Sequence, residues 1–127
     1  MTSFIQLIFN MAYSFSKKND IQILHVDNLL NPLDNQEIIR AVEDKIQENF
    51  CEFIVDLDQM DFMNSSGLTF LISILTRSRN AGGDVAIANL SENIKKILLV
   101  TRLNSAFSIY ENIEDALMFF EKENKDS

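Results

Sequence analysis

Residues 53–68 read Phe53-Ile54-Val55-Asp56-Leu57-Asp58-Gln59-Met60-Asp61-Phe62-Met63-Asn64-Ser65-Ser66-Gly67-Leu68. The first five form an apolar, partly β-branched run of strand length that ends on an acid. From Leu68 onward, Leu68, Leu71, Ile72 and Leu75 recur at helical spacing. Two hydroxyls and a glycine separate the two patterns. That is a strand-to-helix turn with small polar groups at the helix start. Free backbone N–H groups and the positive end of the helix dipole favour an anion there.

The flanking sequence alternates between the same two periods. Tyr13 to Phe15, a polar turn Lys17-Lys18-Asn19-Asp20, and Ile21 to Val26 read as strand, turn and strand. In the second strand Ile21, Ile23 and His25 share one face, and Gln22, Leu24 and Val26 the other. Residues 27–32 read as a loop. Asp34 is placed to cap a helix, with Glu37 as its reciprocal partner, and Ile38, Val42 and Ile46 supply the stripe. Asn80-Ala81-Gly82-Gly83-Asp84 stops the motif helix, and Val85 to Ala88 is a short buried strand. Ser91 caps a helix through Ile94, Ile97 and Leu98. Phe107 to Tyr110 is a last brief strand, and Asn112 caps a final helix reaching Phe120. Strands that alternate with helices over short connections predict an α/β domain with a mostly parallel sheet. Residues 13–120 form that domain. The charged stretch 121–127 reads as a frayed tail.

The remaining composition narrows the function. The 127 residues suit one domain, and 46% hydrophobic with 24% charged is ordinary for a soluble globular protein. A net charge of −8 argues against sequence-independent nucleic-acid binding and against docking on anionic lipid. One cysteine, Cys51, allows no intrachain disulfide, and no secretory signal is evident; both point to the cytoplasm. Cys51 reads as a small core residue, His25 as a satisfied strand residue, and Lys95 and Lys96 as a solvated helix face. Residues 1–12 carry a greasy run, Phe4 to Met11, well short of the roughly 20 residues that span a bilayer. They are expected to add a strand or an ordered arm.

Three chemistries compete for the turn. Nucleophilic catalysis would want Gly-x-Ser-x-Gly and a histidine after the serine. Here Met63 stands two before Ser65, and the single histidine, His25, precedes it. A receiver-like phosphoaspartate site would use Asp56, Asp58 and Asp61, but no lysine ends a later strand. One histidine and one cysteine also make a structural metal site a poor fit. In the third reading Ser65 is a phosphate acceptor, with Ser66 its rival. A phosphoserine carries about −1.5 to −2 charges, which a helix N-terminus tolerates and a partner docked over it does not. On a helical wheel Phe70 and Ile74 point away from the main stripe, either exposed for docking or covered by a neighbouring helix. Gly67 serves close packing or the approach of a partner.

In their order and spacing, the strand 53–57 and the motif Met60 to Leu68 resemble the signature of the STAS domain of anti-sigma factor antagonists. Gly82 to Ile87, Ile97 to Leu103, Phe107 to Tyr110 and Asn112 to Leu117 extend the likeness over about Tyr13 to Phe120. The resemblance implies a STAS fold: a four- to five-stranded mixed sheet with about four helices packed mainly on one side. It implies no enzyme and no cofactor, but partner switching. The unphosphorylated protein binds an anti-sigma factor that is also a serine kinase. Phosphorylation at Ser65 breaks the complex, and a serine phosphatase restores it. Met63, Asn64, Ser65, Ser66, Gly67, Leu68, Phe70 and Ile74 would form the docking surface, and the free protein is expected to be a monomer. A non-switching STAS scaffold, such as a stressosome component or transporter accessory subunit, is the alternative. Two departures stand out. Asn64 occupies the position where the family usually has Asp. The family's glycine-containing turn after its second strand reads Asp27-Asn28-Leu29-Leu30-Asn31.

Overall fold

A computed structural model describes residues 13–126; the extension expected for residues 1–12 lies outside them. Among the described residues, strands β1 (Tyr13–Lys18), β2 (Ile21–Val26), β3 (Glu52–Asp56), β4 (Asp84–Ala88) and β5 (Ser108–Tyr110) form one sheet in the order β1-β2-β3-β4-β5. The β1–β2 pair is antiparallel and the others are parallel. Helices α1 (Pro32–Gln47), α2 (Ser65–Asn80), α3 (Glu92–Val100) and α4 (Ile113–Asp126) alternate with the strands after β2, and a 3₁₀ turn, Leu103–Ser105, precedes β5. This is the mixed STAS sheet that the resemblance implies.

Period-two alternation divides the core. Leu24, Phe53, Val55, Val85 and Ile87 face the layer that holds α1, α2 and α3. Ile21, Ile23, Ile54, Ala86 and Ala88 face the opposite way, against Ala116, Leu117 and Phe120 of α4. Three helices therefore lie on one side and the closing helix alone on the other. Because β3 and β4 are buried on both faces, they read as continuous apolar runs.

Several local expectations change. β1 extends to Lys18 and only Asn19 and Asp20 make the turn, with Asn19 at φ +56°. Strand geometry holds the Lys17 ammonium 5.2 Å from the Phe50 ring centre, and Lys45 reaches the Phe15 ring at 5.3 Å, so the basic residues pack instead of looping out. α1 begins before Asp34. Asn31 caps it through its side chain to Leu33 N and Asp34 N, and Pro32 occupies the first turn, where its missing N–H costs nothing. α4 continues through Asp126, past the end of its apolar stripe.

The largest correction concerns α2. Phe70 and Ile74 are 1% and 0% exposed, like Leu71 and Leu75. α1 packs along α2, so both stripes are covered, one by the sheet layer and one by that helix. Arg77 bonds Glu43 of α1 at 2.5 Å and also Ser73 on its own helix. Phe70 and Ile74 are core residues and do not form an exposed docking face.

Two adjacent glycines end this helix for different reasons. Gly82 sits at φ +94° with open space around it, whereas a Cβ on Gly83 would lie 1.9 Å from the Cys51 carbonyl oxygen. Gly83→Ala is expected to cost about 3 kcal/mol through overpacking, and Gly82→Ala about 1 kcal/mol through the left-handed backbone alone. Urea midpoints of the two variants check this. A smaller loss at Gly83 than at Gly82 contradicts the packing account.

Candidate functional site

The site is assembled where two helix N-termini meet. Each helix start leaves backbone N–H groups without intrahelical partners. At α2, Asn64 is the cap, and its Oδ1 accepts from Gly67 N at 3.2 Å. The same side chain donates from Nδ2 to the Leu30 carbonyl at 3.2 Å. Asn64 thus bridges the motif turn to the loop before α1. A carboxylate would make the cap but not the second bond, because it has no N–H to donate. The two departures from the family pattern touch each other here.

A second amide reinforces the bridge. Asn35 is buried, and its Nδ2 donates to Leu29 O at 2.9 Å and to Ser66 O at 3.3 Å. Between these tethers Leu29 packs fully buried against the start of α2. A Cβ on Gly67 would meet Met63 Cβ at 3.0 Å and Leu29 Cβ at 3.3 Å. Gly67 therefore serves close packing of the turn.

The predicted site residues separate by exposure. Ser65 is exposed at the first position of α2, Asn64 and Ser66 are half-buried, and Leu68 is half-buried against the core. Met63 and Gly67 are buried, so together with Phe70 and Ile74 they support the turn from below and offer no contact surface. A cleft of about 160 Å³ opens beside the serines, lined among others by Pro32, Asn35, Gln36, Ser65, Ser66 and Thr69, with no lysine or arginine in its wall.

Sequence reasoning missed the exposed apolar residues in the segments that lead into α1 and α2. Phe62 is 60% exposed, Leu33 78% and Leu30 45%. Leu33 becomes readable as a surface residue once α1 starts at Pro32, since it then falls outside the stripe of Ile38, Ile39 and Val42. Phe62 stands within the quoted motif, but nothing in periodicity distinguishes it from the buried Met60 and Met63.

The other titratable groups give no second switch at this turn. Burial, reinforced by Glu52, pushes the half-buried Cys51 thiol above its ordinary pKa, which leaves it less reactive at neutral pH. The Lys95 ammonium is raised by its hydrogen bond to Glu92 and by Glu111, on a solvated face. Among the described residues no group of three or more His, Cys, Asp or Glu is placed to hold a metal ion. No described helix is long and apolar enough to cross a membrane.

A turn of this construction, on this sheet order, defines a class. The STAS domain family model matches residues 13–116, and the chain belongs to that family. Within it, the curated relatives include anti-sigma factor antagonists. The anti-sigma F factor antagonist of Paenibacillus polymyxa is 24% identical over 109 residues, which cover 85% of this chain and 93% of that relative. A Thermotoga maritima protein classed among anti-sigma factor antagonists has a solved structure that matches with a TM-score of 0.77 at 21% identity, covering 87% of this chain and 95% of that one. SpoIIAA in its unphosphorylated form matches with a TM-score of 0.75 at 15% identity, covering 87% and 97%. These antagonists are named for what they oppose, not for a reaction.

If the Leu30 tether matters, Asn64→Asp is expected to lower stability by about 1 kcal/mol although Asp is an equally good cap. Thermal or urea unfolding checks this. A variant as stable as the parent would show that the bridge contributes nothing.

Proposed function

We propose that this protein is a cytoplasmic anti-sigma factor antagonist that works by partner switching, with Ser65 as the phosphorylated residue. The unphosphorylated form binds an anti-sigma factor with serine kinase activity, and a serine phosphatase regenerates it. The observation that carries the reading is the exposed Ser65 hydroxyl at the start of a rigidly tethered helix, beside the apolar surface of Phe62, Leu30 and Leu33.

The physics favours a switch that leaves the domain folded. A phosphate on Ser65 would sit at the positive end of α2 and remain solvated, so the free protein bears it at little cost. Among the described residues no cation lines the cleft to neutralise it. A partner that covers Phe62 and Leu33 would have to desolvate a dianion or supply its own cation. Support of a different kind comes from SpoIIAA, whose solved structures include phosphorylated and unphosphorylated forms on this fold. Ser66 is the weaker candidate, being half-buried with its carbonyl bound by Asn35. Asn64 favours one alternative, a STAS scaffold whose serine never cycles, since it lacks the charge the family usually places beside the acceptor.

Ser65→Asp is expected to weaken partner binding at least 30-fold, about 2 kcal/mol or more, with a melting temperature within about 2 °C of the parent. Affinity capture from source cells with parent, Ser65→Ala and Ser65→Asp baits checks this. Retention of an ATP-binding kinase by the first two and not the third supports the switch. Equal retention of a large assembly by all three, or unfolding of Ser65→Asp, overturns it.

A further inference from the structure

We propose that Ser16 is an activated nucleophile, served by His25 as general base and Asp56 as the residue that orients His25. The site would take small activated acyl esters. It is independent of Ser65 and lies on the opposite face of the sheet from α2.

The three side chains come from neighbouring strands. Ser14, Ser16 and Lys18 share one face of β1 by alternation; Ile21, Ile23 and His25 share that face of β2, and Ile54 and Asp56 that face of β3. α4 covers Ile21, Ile23 and Ile54. His25 and Asp56, at the strand ends, are paired to each other in register. His25 keeps 36% of its side chain exposed, and Ser16 is exposed.

The hydrogen bonds run in one direction. Asp56 Oδ2 accepts from His25 Nδ1 at 2.7 Å, and the Ser16 hydroxyl lies 2.9 Å from His25 Nε2. A carboxylate can only accept, so Nδ1 is the donor to Asp56, and in the tautomer whose one proton sits there Nε2 is the ring nitrogen that can accept from Ser16 Oγ. Asp56 is itself held. Its Oδ1 accepts from Asp58 N at 3.0 Å and from Asn89 Nδ2 at 2.9 Å. Asn89, at φ +62°, turns the chain out of β4. The nucleophile is within hydrogen-bond reach of the base, and the base is aimed by a third group, which is the arrangement that activates a serine.

In the step proposed, Ser16 Oγ attacks the ester carbonyl carbon while its proton passes to His25 Nε2. The new O–C bond forms, the bond to the leaving alkoxide breaks, and His25 returns the proton to that alkoxide. Water, deprotonated by His25, then hydrolyses acyl-Ser16 to the free acid and restores the hydroxyl.

The test uses the full chain, a fluorophosphonate probe and p-nitrophenyl acetate, with adducts located by peptide mass spectrometry. The probe is expected on Ser16 in the parent and absent from Ser16→Ala. His25→Gln, at a half-buried position, should slow that labelling about 100-fold, the size of a general-base contribution, in protein that is still folded by circular dichroism. Ester turnover should fall in the same two variants. Labelling spread equally over Ser14 and Ser65, labelling of Ser16 unaffected by His25→Gln, or no adduct with a reactive control protease each overturns the proposal. Variants that melt lower but never differ in labelling would mark the relay as a strand clamp only.

Discussion

One side-chain amide decides how the Ser65 turn is presented. Asn64 closes the first turn of α2 with its oxygen and hooks the Leu30 carbonyl with its nitrogen. Two stretches of irregular backbone, each with polar groups that secondary structure cannot satisfy, thereby satisfy one another. Asn35 ties the same two stretches from inside the core. Leu29, Met63 and Gly67 can then pack closely because the tethers fix their distance. The outcome is a serine in a defined position on a helix start, with the residues beneath it fully committed to the core.

Under the proposed function, that division of labour would let one charge control association without controlling folding. Burying α2 on two sides places Phe70, Leu71, Ile74 and Leu75 in the core, apart from the exposed Ser65 at the helix start. In the segments that lead into α1 and α2, Phe62, Leu30 and Leu33 are exposed apolar residues that the proposed partner would cover. The desolvation penalty of a phosphate is felt only when that surface is covered. The dipole of α2 would lower the cost of a phosphate on Ser65 in the free protein.

Much of this was legible in the sequence. Strict alternation in Ile21 to Val26 assigns both faces of β2, and the run Phe53 to Leu57 with the following 3.6-residue stripe locates β3 and α2. Small polar residues mark Asn64 and Ser91 as caps. The rest fails for identifiable reasons. A helical wheel shows that Phe70 and Ile74 are apolar but not that α1 lies over them. Pro32 looks like loop until Asn31 is seen capping ahead of it. Met63 and Phe62 are neighbours of similar hydropathy, and only the packing around Gly67 sends one inward. His25 had no visible partner because the basic Lys17-Lys18 reads as a turn. Once β1 is carried through to Lys18, alternation puts Ser14 and Ser16 on the face of His25.

The claim at the centre is that Ser65 accepts a phosphate. Intact-mass and peptide mass spectrometry after incubation with ATP and a lysate of the source cells tests it, with Ser65→Ala alongside. The account predicts a single added phosphate on Ser65, absent from the variant. No phosphate from a lysate that modifies a control substrate, or phosphate placed on another serine, would contradict it.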